Sequence, residues 1–271
     1  MKTVDVNSSL VSVEWLKVNN DVTNLVVLDA TINKVIDKSS EKIPNARFFD
    51  IKKKFSDTSS PFPSTLPSAN QFQREARKLG VNQDSIIIVY DDKGIYSSAR
   101  VWWLFKVFGF KNVAVLNGGL PEWKLKGFKL ETYSDDIYFR GDFEANFNSE
   151  LMTNFEGVNE FSQDSDKLII DARSEARFKC LIDEPRVGLR RGTIPNSKNL
   201  PYTNLFDGNI LKPITELSVI FNNLVEDKSQ FVFSCGSGIT ACILALAATL
   251  CNYSHLIVYD GSWTEYGTLT K

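Results

Sequence analysis

The sequence has a single histidine, and none of its four cysteines forms a C-x-x-C pair. Zinc sites in proteins are built from histidine and cysteine ligands at short spacings, so no metal site is expected. A disulfide framework is equally disfavoured, because a chain of 271 residues with 43% apolar residues can build full cores, and no export signal precedes it. We therefore expect a cytoplasmic protein with reduced thiols and no cofactor.

The sequence also lacks an excess of basic charge and a long apolar run. Its net charge is −2 and its pI is near 5.6, which disfavours nucleic acid as a partner. The longest apolar run, ACILALAATL at 241–250, is far too short to span a bilayer. The N-terminal segment shows neither a secretion nor an import signal. We expect no nucleic acid or membrane partner, and an anionic small molecule would need local positive charge.

Short β-prone apolar segments alternate with segments rich in helix formers. Strands are predicted at 25–28, 86–90, 112–116, 168–170, 231–234 and 256–259, with helices between them, for example at 69–79 and 98–107. Strands that alternate with helices indicate a parallel sheet with helices on both faces, which is the α/β class.

The two halves of the chain repeat one another. VVLDA at 26–30 returns as LIIDA at 168–172, and IPNA at 43–46 returns as IPNS at 194–197. The segments 86–99 and 112–123 return in the same order as 230–243 and 255–266. This duplication predicts two tandem domains, at 1–131 and 149–271, joined by a polar connector at 132–148.

The segment CGSGIT follows the predicted strand at 231–234 and precedes a helix. A cysteine at this position faces unpaired N–H groups and the positive end of the helix, which favours a reactive thiolate at Cys235. The alternative is an inert buried thiol. That alternative suits Cys242 and Cys251 better, because ligand sites in open α/β sheets lie beyond the carboxyl ends of the strands.

The differences between the halves are as informative as the repeat. Asp91 lies opposite Cys235, so only the second half can carry out cysteine chemistry. Asp29 to Pro44 spans 15 positions, whereas Asp171 to Pro195 spans 24.

The longer segment is rich in arginine. It contains Arg173, Arg177, Arg186, Arg190 and Arg191. A solvated basic face is the usual explanation for such charges. These arginines, however, follow a strand whose carboxyl end should share a sheet edge with Cys235, where a planar guanidinium binds a carboxylate through two N–H groups.

The two weakly similar halves, the acid in the first-half loop, CGSGIT and the ending YDGSWTEYG together resemble the two-domain rhodanese-like sulfurtransferases. Within that family the resemblance is greatest to the branch that uses 3-mercaptopyruvate, and it covers nearly the whole chain. It implies that Cys235 takes sulfur from a small anionic donor as a persulfide and that pyruvate is released. It further implies a thiol acceptor, for which a thioredoxin-like protein is one candidate, or cyanide.

The resemblance also implies which residues bind the donor and the sulfur. The two donor-binding arginines of the family match Arg177 and Arg186. The loop that cradles the sulfur matches Gly236, Ser237, Gly238, Ile239 and Thr240. Lys42 stands where family members often have a histidine, so a proton relay between that histidine and Ser237 is not carried over.

Three alternatives follow from the same residues. A cysteine phosphatase is disfavoured, because Ala241 stands where its loop needs an arginine. A thiosulfate sulfurtransferase typically has Arg and Lys after the cysteine, whereas this chain has the neutral Gly236 and Ser237, so we expect 3-mercaptopyruvate to be preferred. A non-catalytic docking module remains a further alternative, and Arg190 or Arg191 remains an alternative donor ligand.

Overall fold

The computed structural model describes residues 6, 8–134, 137–226, 228 and 230–271. They form two compact units. The first unit comprises the described residues of Met1–Asp57, Leu66–Phe147 and Gly208–Ile210, and the second those of Thr58–Thr65, Asn148–Asp207 and Leu211–Lys271.

The first half of the chain contains seven strands and four helices among its described residues. The strands are β1 (Leu10–Val11), β2 (Leu25–Asp29), β3 (Glu41–Lys42), β4 (Arg47–Phe48), β5 (Ile86–Tyr90), β6 (Val113–Leu116) and β7 (Glu131–Thr132). The helices are α1 (Val13–Asn19), α2 (Ala69–Lys78), α3 (Ser98–Val107) and α4 (Gly119–Leu125).

The first unit is built on a five-stranded parallel sheet in the order β1-β6-β5-β2-β4. Its central strands consist mostly of Leu, Ile and Val, and all residues of β2, β5 and β6 are buried. Strands of this composition are covered on both faces, as expected for a parallel sheet. An aromatic cluster that includes Phe72 and Phe105, with ring centroids 5.0 Å apart, also contains the fully buried Phe143 from the segment predicted as a connector.

The second half of the chain has the same alternation of elements. Its strands are β8 (Met152–Thr153), β9 (Lys167–Asp171), β10 (Ser197–Asn199), β11 (Phe206–Asp207), β12 (Ile210–Leu211), β13 (Gln230–Ser234) and β14 (Leu256–Tyr259). Its helices are α5 (Phe155–Phe161), α6 (Glu175–Phe178), α7 (Ile214–Val225), α8 (Ala241–Leu250) and α9 (Ser262–Leu269), with 3₁₀ turns at Ser149–Leu151 and Tyr202–Leu205.

The second unit is built on a five-stranded parallel sheet in the order β10-β9-β13-β14-β8. Because the strands are parallel, the carboxyl ends of β9, β13 and β14 lie at one edge. That edge carries Asp171, Cys235 and the turn before α9. Helix α8 is buried along most of its length, because all its residues except Thr249 are Ala, Leu, Ile or Cys.

The predicted α/β class with two mainly parallel sheets is confirmed. Within the described residues, no helix is long and apolar enough to cross a membrane.

Candidate active site

Cys235 lies directly after β13, and its residue is only 2% exposed. It begins the cysteine loop, residues 235–240, which leads into α8 at Ala241. Gly238, Ile239 and Thr240 are buried, whereas Gly236 and Ser237 are partly exposed. The structure therefore places the predicted nucleophile in a tight turn between a buried strand and a helix, with part of the loop open to solvent.

Ser262, the first residue of α9, is hydrogen-bonded to the backbone of the cysteine loop. Its hydroxyl oxygen accepts hydrogen bonds from the backbone N–H groups of Cys235 and Gly238, each over 3.1 Å. The hydroxyl itself donates to the carbonyl of Tyr259 over 2.9 Å, and it lies 3.9 Å from the sulfur of Cys235. Ser262 is fully buried and has a φ of +49°, a left-handed conformation that is costly for a residue with a side chain.

The loop leaves backbone donors available beside the sulfur. In the described part of the chain, the N–H groups of Ser237 and Thr240 have no hydrogen-bond acceptor. Buried N–H groups are rarely left unpaired, so an anion held at Cys235 would satisfy them.

The corresponding loop of the first unit, the aspartate loop at residues 91–96, already holds an anion. The carboxylate of the fully buried Asp91 accepts hydrogen bonds from the N–H groups of Lys93 (2.9 Å), Tyr96 (2.7 Å) and Ser98 (2.9 Å). The hydroxyl of Ser98 also donates to it, over 2.6 Å. Lys93 and Tyr96 are the repeat partners of Ser237 and Thr240, so the donors that are free in the second unit are occupied in the first.

Arg177, on the short helix α6, lies against the cysteine loop. Its Nη2 atom would be 3.0 Å from a Cβ atom added to Gly236, which is closer than nearly all real Cβ contacts. A side chain at position 236 and the Arg177 guanidinium therefore compete for the same space. With glycine at position 236, the guanidinium lies close to the backbone of the residue next to the nucleophile, and a larger side chain there would have to push it away.

Arg186 reaches the same residue by way of Thr264. Its Nη1 atom donates to the hydroxyl oxygen of Thr264 over 3.0 Å. Thr264 in turn donates to the carbonyl of Gly236 through its N–H group, over 2.9 Å, and through its hydroxyl. The structure thus brings both predicted donor-binding arginines to the cysteine loop. Sequence reasoning missed Thr264 and Ser262, although both lie in the quoted segment YDGSWTEYG.

A buried ionic network lies behind Arg177. The fully buried Arg173 side chain binds the Asp171 carboxylate and also donates to Glu184. Burial disfavours the charge of Arg173, but the carboxylates of Asp171 and Glu184 outweigh this effect and raise its pKa. Arg177 pairs with the other oxygen of Glu184 over 2.6 Å.

The two remaining arginines of the insertion have other partners. Arg190 donates to the carbonyl of Gly267 and to the hydroxyl of Thr270, and its guanidinium lies 4.7 Å from the ring centre of Trp263. Arg191 pairs with the exposed Asp183 over 2.8 Å. Arg190 therefore secures α9, and Arg191 forms a surface ion pair.

Lys42 and Ser237, the two positions of the relay that was not carried over, have different surroundings. Within the first unit, the Lys42 ammonium is buried, donates to the carbonyl of Ala46 over 3.0 Å and pairs with Glu131. In the second unit, the half-buried Ser237 side chain has no hydrogen-bond partner among the described residues.

The sequence and the fold of the chain match a known family. The model of the rhodanese-like domain matches residues 12–126 and 156–268, and the chain therefore belongs to the rhodanese-like family, with two such domains in tandem. The relationship extends to particular enzymes. The chain is 38% identical to 3-mercaptopyruvate sulfurtransferase of Escherichia coli K12, over 95% of this chain and 94% of that protein.

Two further comparisons agree with this assignment. The chain is 36% identical to the mitochondrial thiosulfate/3-mercaptopyruvate sulfurtransferase 1 of Arabidopsis thaliana, over 98% of this chain and 78% of that protein. The crystal structure of SseA from Escherichia coli, described as a 3-mercaptopyruvate sulfotransferase with the rhodanese fold, superposes with a TM-score of 0.83 at 36% identity. That match covers 95% of this chain and 99% of SseA. The predicted membership of the two-domain rhodanese-like sulfurtransferases is confirmed.

Proposed function

We propose that this chain transfers sulfur from 3-mercaptopyruvate to a thiol or cyanide acceptor through a persulfide on Cys235, with release of pyruvate. The observation that supports this most directly is the convergence of Arg177 and Arg186 on Gly236, the residue next to the buried cysteine. Catalysis is assigned to the second domain, 149–271. The first domain, 1–131, has a non-catalytic role, and 132–148 connects the two.

The first chemical step forms one bond and breaks one. The Cys235 thiolate attacks the sulfur of the donor, and an S–S bond forms as the donor's C–S bond breaks. The electron pair of that C–S bond remains on the carbon fragment, which leaves as the enolate of pyruvate and then takes up a proton. Arg177 and Arg186 bind the carboxylate and keto oxygen of the donor, where negative charge develops.

The aspartate loop of the first unit supports a specific arrangement for holding the persulfide. The outer sulfur of a persulfide and the oxygen of an aspartate both lie two bonds beyond Cβ. The Asp91 carboxylate accepts hydrogen bonds from the N–H groups of Lys93 and Tyr96. By the same geometry, the outer sulfur on Cys235 would accept hydrogen bonds from the N–H groups of Ser237 and Thr240. An acceptor thiolate then attacks the outer sulfur and regenerates the Cys235 thiolate. A small thiol or a thioredoxin-like protein is the acceptor we propose.

The neutral loop favours 3-mercaptopyruvate over thiosulfate. Thiosulfate carries two charges close to its sulfur, and neither Gly236 nor Ser237 offers a cation to balance them. The carboxylate of 3-mercaptopyruvate lies further from the sulfur, at a distance that Arg177 and Arg186 would reach. Two charge-assisted contacts of about 1.5–3 kcal/mol each would shift donor preference by more than about a hundredfold.

Steady-state turnover with each donor, together with intact-protein mass after donor treatment, tests this function. We expect a mass increase of one sulfur at Cys235 and a higher kcat/KM for 3-mercaptopyruvate. No adduct with either donor would instead favour a docking module, and a preference for thiosulfate would refute the loop-charge argument. The double change Gly236→Arg with Ser237→Lys should raise thiosulfate turnover and lower that of 3-mercaptopyruvate, because an arginine at position 236 also displaces Arg177.

A further inference from the structure

We propose that Glu184 is a positioning residue that fixes the Arg177 guanidinium in the orientation required to bind the sulfur donor. This inference rests on the proposed function, because it assigns Arg177 to donor binding. It adds a residue that neither the sequence pattern nor the loop geometry had singled out.

Glu184 is an acid whose two oxygens face two different arginines. Its side chain is only 1% exposed. The Oε1 atom accepts from Nη1 of Arg173 over 2.8 Å, and Oε2 accepts from Nη2 of Arg177 over 2.6 Å. The Nε atom of Arg177 lies 3.3 Å from Oε1, so the carboxylate holds the guanidinium along one side.

Arg173 is already anchored without Glu184. Its Nε and Nη2 atoms bind the two sides of the Asp171 carboxylate at 2.7–3.1 Å, and Nη2 also donates to the carbonyl of Gly192. The Arg173 side chain is fully buried, whereas that of Arg177 is 22% exposed. Glu184 therefore links a fixed, internal arginine to one that faces the solvent side of the site.

This link determines which donors Arg177 can offer. A guanidinium has five N–H groups. Glu184 engages those on Nε and one on Nη2, which leaves Nη1 and the second Nη2 hydrogen for a ligand. The Nη2 atom also lies beside Gly236. Glu184 therefore fixes the orientation in which Arg177 presents its remaining N–H groups to a ligand, which the flexible arginine side chain alone would not do.

A buried ion pair that serves only folding is the competing explanation, because removal of one partner of such a pair commonly destabilises a protein. The two explanations differ in one respect. If Glu184 acts through Arg177, its effect on donor use disappears when Arg177 is absent. If it serves folding alone, its effect is independent of Arg177.

A double-mutant cycle of Glu184→Gln and Arg177→Ala tests the proposal. We expect Glu184→Gln to lower kcat/KM for 3-mercaptopyruvate by about 10- to 100-fold, mainly through KM, because misplacement of a binding group is costly. In the Arg177→Ala background, the same change should alter kcat/KM less than about twofold. The rate of Cys235 alkylation by neutral iodoacetamide should stay within about twofold, since the thiol is not the group displaced.

The matched control is Asp183→Asn. Asp183 is the neighbouring acid on the same loop, but it is exposed and pairs with Arg191, so kcat/KM should not change. Glu184→Asp keeps the charge and should give an intermediate KM, which supplies a second variant if Glu184→Gln folds poorly. The melting temperature of each variant identifies such a case.

The proposal would be overturned if Glu184→Gln had the wild-type KM. It would also be overturned if the fold-losses in kcat/KM of the two single variants multiplied in the double variant. Titration calorimetry with pyruvate, the expected product, measures the same double-mutant cycle through the dissociation constant and needs no turnover. If the wild-type chain binds pyruvate and the cycle shows coupling but 3-mercaptopyruvate is not turned over, the proposed function fails while the positioning role of Glu184 stands. Absence of pyruvate binding by the wild type would overturn the proposal as well.

Discussion

The aspartate loop and the cysteine loop place the same backbone donors around different groups. In the first unit, Asp91 fills its loop with its own carboxylate, which accepts four hydrogen bonds. In the second unit, the matching N–H groups of Ser237 and Thr240 have no acceptor among the residues that the structure describes. The same loop is therefore a closed structural turn in the first unit, whereas in the second unit it has the donors that the proposed persulfide would use, and the two loops differ in the residue that follows the central strand, Asp91 or Cys235.

A second difference lies one strand further along each sheet. Ser262 and Gly119 are repeat partners, with φ values of +49° and +51°. The following residue donates its N–H group, over 3.0 Å, to the carbonyl of Cys235 in one unit and of Asp91 in the other. Glycine is the residue that this conformation favours, so the serine is retained at a cost. Its hydroxyl braces the cysteine loop through the N–H groups of Cys235 and Gly238, which are not the repeat partners of those that the Asp91 carboxylate binds.

The largest expected effect comes from making the second loop resemble the first. Cys235→Asp removes the nucleophile but supplies a carboxylate to the free N–H groups. Turnover should fall by about a thousandfold or more, with the melting temperature maintained. Cys235→Ser should be equally inactive. Steady-state assays and thermal denaturation measure the two properties.

The reciprocal change gives the control. Asp91→Cys in the Cys235→Ser background places a thiol in the first loop, where the arginine-rich insertion is missing. No turnover should return. Restored sulfur transfer would show that the thiol alone, without Arg177 and Arg186, makes either loop catalytic.

The second prediction removes the arginines that only the second half contains. Arg177→Ala or Arg186→Ala should each cost about 2–4 kcal/mol of transition-state stabilisation, as measured by kcat/KM for the donor. Arg191→Ala is the control, because Arg191 forms an exposed ion pair. Unchanged kinetics in both variants would transfer the donor-binding role to Arg190 or Arg191.

The third prediction concerns Ser262. In Ser262→Gly, two loop N–H groups lose their acceptor, at about 1–3 kcal/mol, whereas relief of the left-handed strain returns about 1–3 kcal/mol. The free energy of unfolding should therefore change little, while kcat falls about tenfold because the loop is no longer braced. Ser262→Ala keeps the strain and should be the less stable variant in urea. Full activity of the glycine variant would rule out a role for the hydroxyl.

The smallest effect on turnover is expected for Asp91→Asn. The amide NH₂ group cannot accept a hydrogen bond, so at least one loop donor is left unsatisfied, at about 1–3 kcal/mol. Urea unfolding should show this loss in stability, and kcat should be nearly unchanged. A large fall in kcat would contradict the non-catalytic role proposed for the first domain.

Periodicity and turn chemistry predicted the central elements well, because buried parallel strands are continuous apolar runs. The strand predicted at 86–90 and the helix at 98–107 coincide with β5 and α3. The edge strands β1, β4 and β8 were not predicted, since each has only two residues and is defined by its neighbour in the sheet and not by its own composition.

The site could be predicted in part. The repeat placed Asp91 opposite Cys235, and the shared sheet edge placed the arginines near the thiol. The contact between Arg186 and Thr264 joins side chains 78 residues apart, and no local pattern encodes such a meeting. Glu184 lies only 7 residues from Arg177, but it stands in a segment without regular secondary structure, where no periodicity predicts which side chains meet. The contacts of Arg190 could not be predicted for the same reason, because its partner Thr270 lies 80 residues away in the sequence.

The tight packing around Gly119 constrains how the first domain can evolve. A Cβ atom at Gly119 would lie 2.4 Å from the carbonyl oxygen of Gly94 and 2.5 Å from that of Asp91. The serine that braces the cysteine loop therefore cannot be introduced there by a single substitution without displacing the backbone of the aspartate loop. A cysteine loop braced by a serine would therefore require concerted changes in the first unit: the exchange of Asp91 for cysteine, a serine in place of Gly119, and a shift of the backbone carbonyls that now lie against Gly119.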